Sequence, residues 1–298
     1  MFFSLSGQSL SSAVLFKKKS GPGLSRSEVI FLDEDGLALV VTEAGVDFRS
    51  GKFKGQPVLL VAHDSVSRVS LVRISLQEGE RSQPVELGSS LVLKPESQLY
   101  TSLEGEVEPS RIVSREGRYN DTPLPFQLFR VHHPAGKQLF PGNPLFDAAG
   151  RVVAINYRKA DEYGNGNFAF PVEVVKRIQK ATVVDGMVQR SWFGVELLAS
   201  DPLAVVQGVR QASPAAKAGI VKGDILIQIG TRPIRRYSDA INAFFYLREG
   251  EEAVVKFLRG TESLEAVVMP ELVPSAAPAG STPAATVKKS KEEPNGLN

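Results

Sequence analysis

A chain of 298 residues with 42% hydrophobic and 23% charged positions carries enough apolar material for two ordinary domains and is not disordered throughout. Its 35 Lys and Arg nearly cancel its 33 Asp and Glu, so no strong single-sign field marks it as a binder of nucleic acid or of a membrane surface. The absence of cysteine excludes disulfides, thiolate catalysis and cysteine metal sites, and says nothing about compartment.

The opening MFFSLSGQSLSSAVLFKKKSG sets a short apolar run, 13–16, ahead of Lys17, Lys18 and Lys19, the reverse of a signal peptide. An exposed arm is expected over 1–23. No run reaches the roughly 18 apolar residues that a membrane helix needs.

Short β-type runs follow: EVIFL (28–32), LALVVT (37–42), QPVLLVAH (56–63), VSLVRISL (69–76), SSLVLK (89–94), SRIVS (110–114), FQLFRV (126–131) and VVAIN (152–156). They are rich in Val, Leu and Ile, and Asp35-Gly36 between the first two is a strong tight-hairpin signal. The pattern predicts an antiparallel barrel or sandwich over 24–181. VEVVKRIQKA (172–181) has helical spacing, and the looser stretch after it places a linker over 182–190.

The next part, 191–272, is mixed. AVVQGVR (204–210), DILIQIG (224–230), EAVVKFLRG (252–260) and ESLEAVVM (262–269) read as strands, the last two joined at Gly260-Thr261. A helix over 214–219 starts behind Ser213 as N-cap and stops at Gly219, and a second over 238–247 ends near Gly250. The tail 273–298 is Pro/Ala/Ser-rich and then charged, too poor in large apolar groups to offset chain entropy, and is expected to be disordered.

These phrases resemble the HtrA-like (Deg) serine proteases, over about residues 28–272. VQRSWFGVE, ASPAAKAGIVKGDILIQIGTRPI and LREGEEAVVKFLRG are similar to that family's PDZ domain, and FLDEDGLALVVTEAGVD, VSLVRI, PGNPLFDAAGRVVAIN and GNFAFPVEVVKRI to its trypsin-like barrels. The resemblance implies a mainly β chain: a trypsin-like double β-barrel, then an α+β PDZ domain of five to six strands and two helices. Where the family has its catalytic His stands Gly45, and where it has Asp stands Arg68. Around the nucleophile, Pro141-Gly142-Asn143 runs directly into Pro144-Leu145, or in an ungapped reading Pro141 takes the place of Ser. Nucleophile, base and orienting acid act as one unit. The expectation is therefore a degenerate protease with no catalytic residue, not an enzyme; the alternative is an active serine endopeptidase whose catalytic residues are misaligned or relocated. His63, His132, His133, Ser65, Ser67 and Ser70 are the residues a relocation could use, but His63 reads as a surface or capping residue and the His132-His133 pair as part of a polar loop without a carboxylate at metal-ligand spacing. No metal and no cofactor is expected.

The resemblance also implies a peptide ligand. A PDZ domain adds an extended segment as a strand and holds its terminal carboxylate on backbone N–H groups. Trp192-Phe193-Gly194 would form that loop, Val195 and Leu197 the pairing strand, and Ile241, Phe244 and Phe245 the far wall of the groove. For Ile241 and Phe244 plain core positions are the competing reading, and Lys222, Arg235 and Arg236 read as a solvated face. The expected function is binding of hydrophobic C-terminal or extended protein segments, as scaffold, sensor or chaperone-like partner, with no nucleic-acid partner. By resemblance the compartment is periplasmic or otherwise extracytoplasmic, and Phe2 and Phe3 point to a homo-oligomer, a trimer, although a free apolar arm accounts for them equally well.

Overall fold

A computed structural model describes residues 13–103, 106–119, 122–133, 139–159, 167–199 and 202–273. Phe2, Phe3 and the tail from 274 lie outside the described residues.

The first barrel is built from β1 (Ala13–Lys18), β2 (Leu24–Glu28), β3 (Ile30–Phe31), β4 (Leu37–Val41), β5 (Val46–Phe53), β6 (Gln56–Asp64) and β7 (Val69–Ile74), in sheet order β2-β1-β5-β6-β7-β4-β3. Alternation explains β1: Val14 and Phe16 turn inward and are fully buried, whereas Leu15 and Lys17 face out. This corrects the expected arm over 1–23, since residues 13–18 are a barrel strand with Lys17 and Lys18 at its end and Lys19 just beyond it. Asp35-Gly36 makes the expected hairpin, pairing Ile30 with Leu39, and the Leu32 N–H donates to the Leu37 carbonyl at 2.8 Å.

The second barrel is closed, in the order β10-β13-β12-β11-β8-β9, from β8 (Gln98–Leu103), β9 (Glu106–Tyr119), β10 (Thr122–His132), β11 (Pro144–Phe146), β12 (Val152–Lys159) and β13 (Asn167–Pro171). The run 89–94 is not a strand: the Glu173 carboxylate accepts from Ser89 and Ser90 and bends the chain there, leaving Leu91 and Val92 exposed. A shared apolar cluster lies between the barrels, with Leu39, Val41 and Leu71 from the first, Phe146, Ile155 and Phe170 from the second, and Val174 and Ile178 of α1 (Val172–Gln179).

The stretch expected as a loose linker folds as a hairpin of β14 (Val183–Val184) and β15 (Met187–Val188), and Met187 pairs in parallel with His63 of β6. Beyond it come β16 (Ser191–Trp192), β17 (Val195–Leu197), β18 (Val206–Val209), α2 (Pro214–Lys217), β19 (Ile225–Ile229), β20 (Arg232–Pro233), α3 (Tyr237–Phe245), β21 (Ala253–Arg259), β22 (Glu262–Val268) and β23 (Glu271–Leu272). Ser213 caps α2 as expected, its hydroxyl accepting from the Ala216 N–H at 3.2 Å. This unit has its own core around Phe193, Ala215, Leu226, Ala240, Val255 and Phe257.

Candidate functional site

The backbone of the loop before β17 sets the geometry of a groove. The Phe193 carbonyl accepts from the Ala215 N–H at 2.8 Å, and the Gly194 carbonyl from the Arg210 N–H at 2.8 Å. With both carbonyl oxygens tied inward, the Phe193 and Gly194 N–H groups are left, among the described residues, without a protein acceptor. Consecutive N–H groups of this kind form an anion-binding concavity. Gly194 has φ +84, and a Cβ there would stand 2.2 Å from Ser213 Cβ, so the loop can lie on the start of α2 only as glycine.

β17 pairs with β18 on one side and, among the described residues, with no strand on the other. The Arg210-to-Gly194 bond makes Val195 and Val209 a non-hydrogen-bonded pair of the ladder, so Val195 turns its own N–H and C=O to the open edge.

The expected groove residues divide. Phe193 is buried in the core of this unit and meets Phe244 of α3 edge-on, with ring centroids 5.0 Å apart. Val195, Leu197 and Phe244 are half-buried against the same core, and Ile241, one helical turn before Phe244, is half-buried as well. Trp192 flanks the loop: its backbone pairs with Glu271, and the Arg210 guanidinium lies 5.6 Å from its ring centroid. Arg210 is the neighbour that the sequence did not single out, because nothing in AVVQGVR ties it to an indole eighteen positions earlier. Phe245 is placed elsewhere. It is buried against Phe126 of β10, at 4.9 Å, with the Arg177 guanidinium 4.5 Å above its ring, so it joins the domain to the barrel. Lys222, Arg235 and Arg236 are exposed.

On the barrels, Gly45 (φ +73) accepts from the Lys19 N–H at 2.7 Å. Arg68 (φ +58) uses its carbonyl to take both the N–H and the hydroxyl of Thr42, which brings the two loops together. The turn 139–143 is tied down throughout: the Pro141 carbonyl accepts from the Glu28 N–H, the Gly142 N–H donates to Asn156, and Asn156 Nδ2 bonds the Leu139 and Phe140 carbonyls. A Cβ on Gly142 would meet the Glu28 carbonyl oxygen at 2.4 Å.

The histidines are more engaged than expected. His63, expected as a surface or capping residue, lies within β6, half-buried on Phe48, with Nδ1 2.9 Å from Ser70 Oγ; burial lowers its pKa despite the nearby Asp64 carboxylate. His133 is buried rather than in a polar loop, its Nδ1 2.6 Å from Ser110 Oγ, and burial together with the adjacent His132 lowers its pKa to about 4. Ser67 donates to Asp64 Oδ2 at 2.6 Å. Among the described residues no cluster of three His, Asp or Glu could hold a metal ion, and no helix is long and apolar enough to cross a membrane.

The PDZ domain family matches residues 191–269. A probable periplasmic serine endoprotease, DegP-like, of Pseudomonas putida (strain GB-1) is 30% identical over 222 residues, covering 67% of this chain and 45% of that protein. A protein of the same description from Pseudomonas savastanoi pv. phaseolicola is 32% identical over 165 residues, covering 50% and 34%. The chain thus spans about half the length, or less, of these curated relatives. Among solved structures, the HtrA-type protease AlgW with tripeptide superposes with a TM-score of 0.60 at 20% identity, covering 89% of this chain and 94% of that one, and AlgW with decapeptide with 0.51 at 19%, covering 89% and 96%. These relatives overturn the expectation that the chain is not an enzyme: they are named serine endoproteases and proteases, and substitutions at three aligned positions do not by themselves show that a triad is lost. With a mainly β double barrel, a PDZ domain over 191–269 and relatives of this kind, the chain is an HtrA-like protein with a PDZ domain.

Proposed function

We propose that the chain captures hydrophobic C-terminal or extended segments of other proteins in the groove between β17 and α3. The carrying observation is the open edge at Val195 beside two N–H groups, of Phe193 and Gly194, that have no protein acceptor. A peptide strand would pair along β17, its terminal carboxylate would take the two N–H groups, and its last apolar side chain would lie against Phe244 and Ile241. Titration of the full chain with C-terminal peptides as free acids and as amides tests this. Free acids should bind and amides should bind at least about tenfold more weakly, the worth of a charge-assisted contact; equal affinities, or no binding by either, would overturn the assignment.

A second reading, favoured by the names of the relatives, is serine-type endopeptidase activity. Among the described residues His63 contacts Ser70 and His133 contacts Ser110, and both serines are buried. Labelling by a fluorophosphonate, with the modified serine identified by mass spectrometry, tests it. Stoichiometric labelling of one serine supports the activity, and an unlabelled protein refutes it. By the description of its relatives the chain would work outside the cytoplasm.

A further inference from the structure

Where the barrels meet the PDZ domain, α1, β19–β20 and the C-terminal end of α3 line an open cavity of about 390 Å³. Arg177 of α1 lines it and is only 8% exposed, and its Nε and Nη1 have no hydrogen-bond partner. No carboxylate among the described residues forms an ion pair with it. Asp64, the acidic group it feels most strongly, is occupied by the Ser67 N–H and hydroxyl. The other cations that Arg177 feels, Arg190 and Arg248, repel it. The charge of Asp64 and the face of the Phe245 ring, 4.5 Å away, favour the guanidinium, but neither gives Nε or Nη1 a hydrogen-bond acceptor, and a buried polar group left without a partner costs about 1–3 kcal/mol, more when charged.

The remaining lining points to the sign of what is missing. Arg232 reaches the cavity from β20 with its guanidinium stacked 3.7 Å from the Tyr246 ring centroid, and Lys180 lies past the end of α1. Three carboxylates share the lining with five cations (Lys176, Arg177, Lys180, Arg232 and Arg248): Glu173 accepts from Ser89 and Ser90 and acts on Arg232, Glu251 pairs with Arg248, and Glu252 is exposed, so the cations outnumber the carboxylates. Cations converging from separate elements suit a tetrahedral dianion better than a planar carboxylate, which a single guanidinium fork satisfies.

We propose that this junction cavity binds a phosphate-class oxyanion, either free phosphate or the head of a small phosphate ester, through Arg177, Arg232 and Lys180. The ligand would bridge α1 of the barrel unit and β20 of the PDZ domain, so its binding would tighten the junction.

Thermal unfolding and calorimetric titration of the full chain with inorganic phosphate, and separately with glycerol phosphate, at constant ionic strength balanced by chloride, test the site. A saturable rise in melting temperature is expected, weakened about tenfold or more in Arg177→Met and in Arg232→Met. The anion that binds more tightly identifies the source. Absence of a saturable shift with both anions, or a shift unchanged in both variants, overturns the proposal. Should Arg177→Met not fold, Arg232→Met, which removes a partly buried lining residue of β20, decides alone.

Discussion

Phe245 of α3 lies with its ring centroid 4.9 Å from that of Phe126 in β10, so a helix of the PDZ domain is fastened to the second barrel by an aromatic pair. Tyr246 extends the contact, edge-on to Phe245 at 5.1 Å, and Arg177 covers the other side. The helix therefore serves two neighbours at once, with Phe244 turned to the PDZ core and Phe245 to the barrel.

Phe245→Ala should remove this fastening. Truncating a buried Phe costs about 3 kcal/mol or more, and here the loss falls on the barrel's unfolding transition as well as on the junction. Denaturant unfolding followed separately in the two units, together with proteolysis around residues 182–190, would show an earlier barrel transition and a newly cleavable hairpin. An unaltered barrel midpoint would mean that the junction contributes nothing to it.

Gly194→Ala should damage the fold of the PDZ domain and not only its ligand binding. The new Cβ meets Ser213 Cβ at 2.2 Å, at φ +84, which predicts a loss of roughly 1–3 kcal/mol. Pairing it with Ser213→Gly, which removes the opposing carbon at a cost of only a few tenths as an N-cap, should restore part of that loss. Strict additivity in the double-mutant cycle would exclude the close approach as the cause.

Ile241→Ser offers a cleaner probe of the groove. The side chain is half-buried and stands outside the core cluster, so stability should change by less than about 1 kcal/mol while peptide affinity falls about tenfold. Unchanged affinity would remove Ile241 from the peptide wall.

His133 should make the barrel acid-sensitive. Its folded pKa, about 4, lies below the ordinary 6.5, so between those values the unfolded chain binds the extra proton and the folded one does not. Stability is then unaffected above about pH 6.5 and declines as pH falls toward 4, by up to roughly 3 kcal/mol. Urea midpoints measured across this window should fall less steeply for His133→Gln than for the parent; parallel slopes would assign the acid sensitivity to other groups.

Much of the PDZ domain was legible because its signals are local. Ser213 is an N-cap whose bond reaches only to Ala216, and the hairpin at Gly260-Thr261 closes between neighbours. The failures came where a partner distant in sequence decides. Leu91 and Val92 sit in an apolar run yet stay exposed, because Glu173 draws Ser89 and Ser90 into a turn. Residues 13–18 alternate like a strand over only six positions, and three lysines gave the stretch the look of an arm until pairing with β2 and β5 fixed it. In α3, helical spacing put Ile241, Phe244 and Phe245 on one stripe, but spacing cannot say that two different neighbours divide it. The relationship to HtrA-like serine proteases was legible in phrases such as PGNPLFDAAGRVVAIN, whereas the expectation drawn from the residues at 45, 68 and 141, that the chain is not an enzyme, is the one its relatives overturn.

The PDZ domain begins and ends at one place. Ser191 pairs with Leu272, Trp192 with Glu271, and the Val273 N–H donates to the Arg190 carbonyl at 2.9 Å. The domain is thus a closed circuit in the chain, like a pendant whose two cords leave through the same eyelet. Lengthening a cord on either side would not pull it apart, because residue 273 leaves beside the point where the chain first entered.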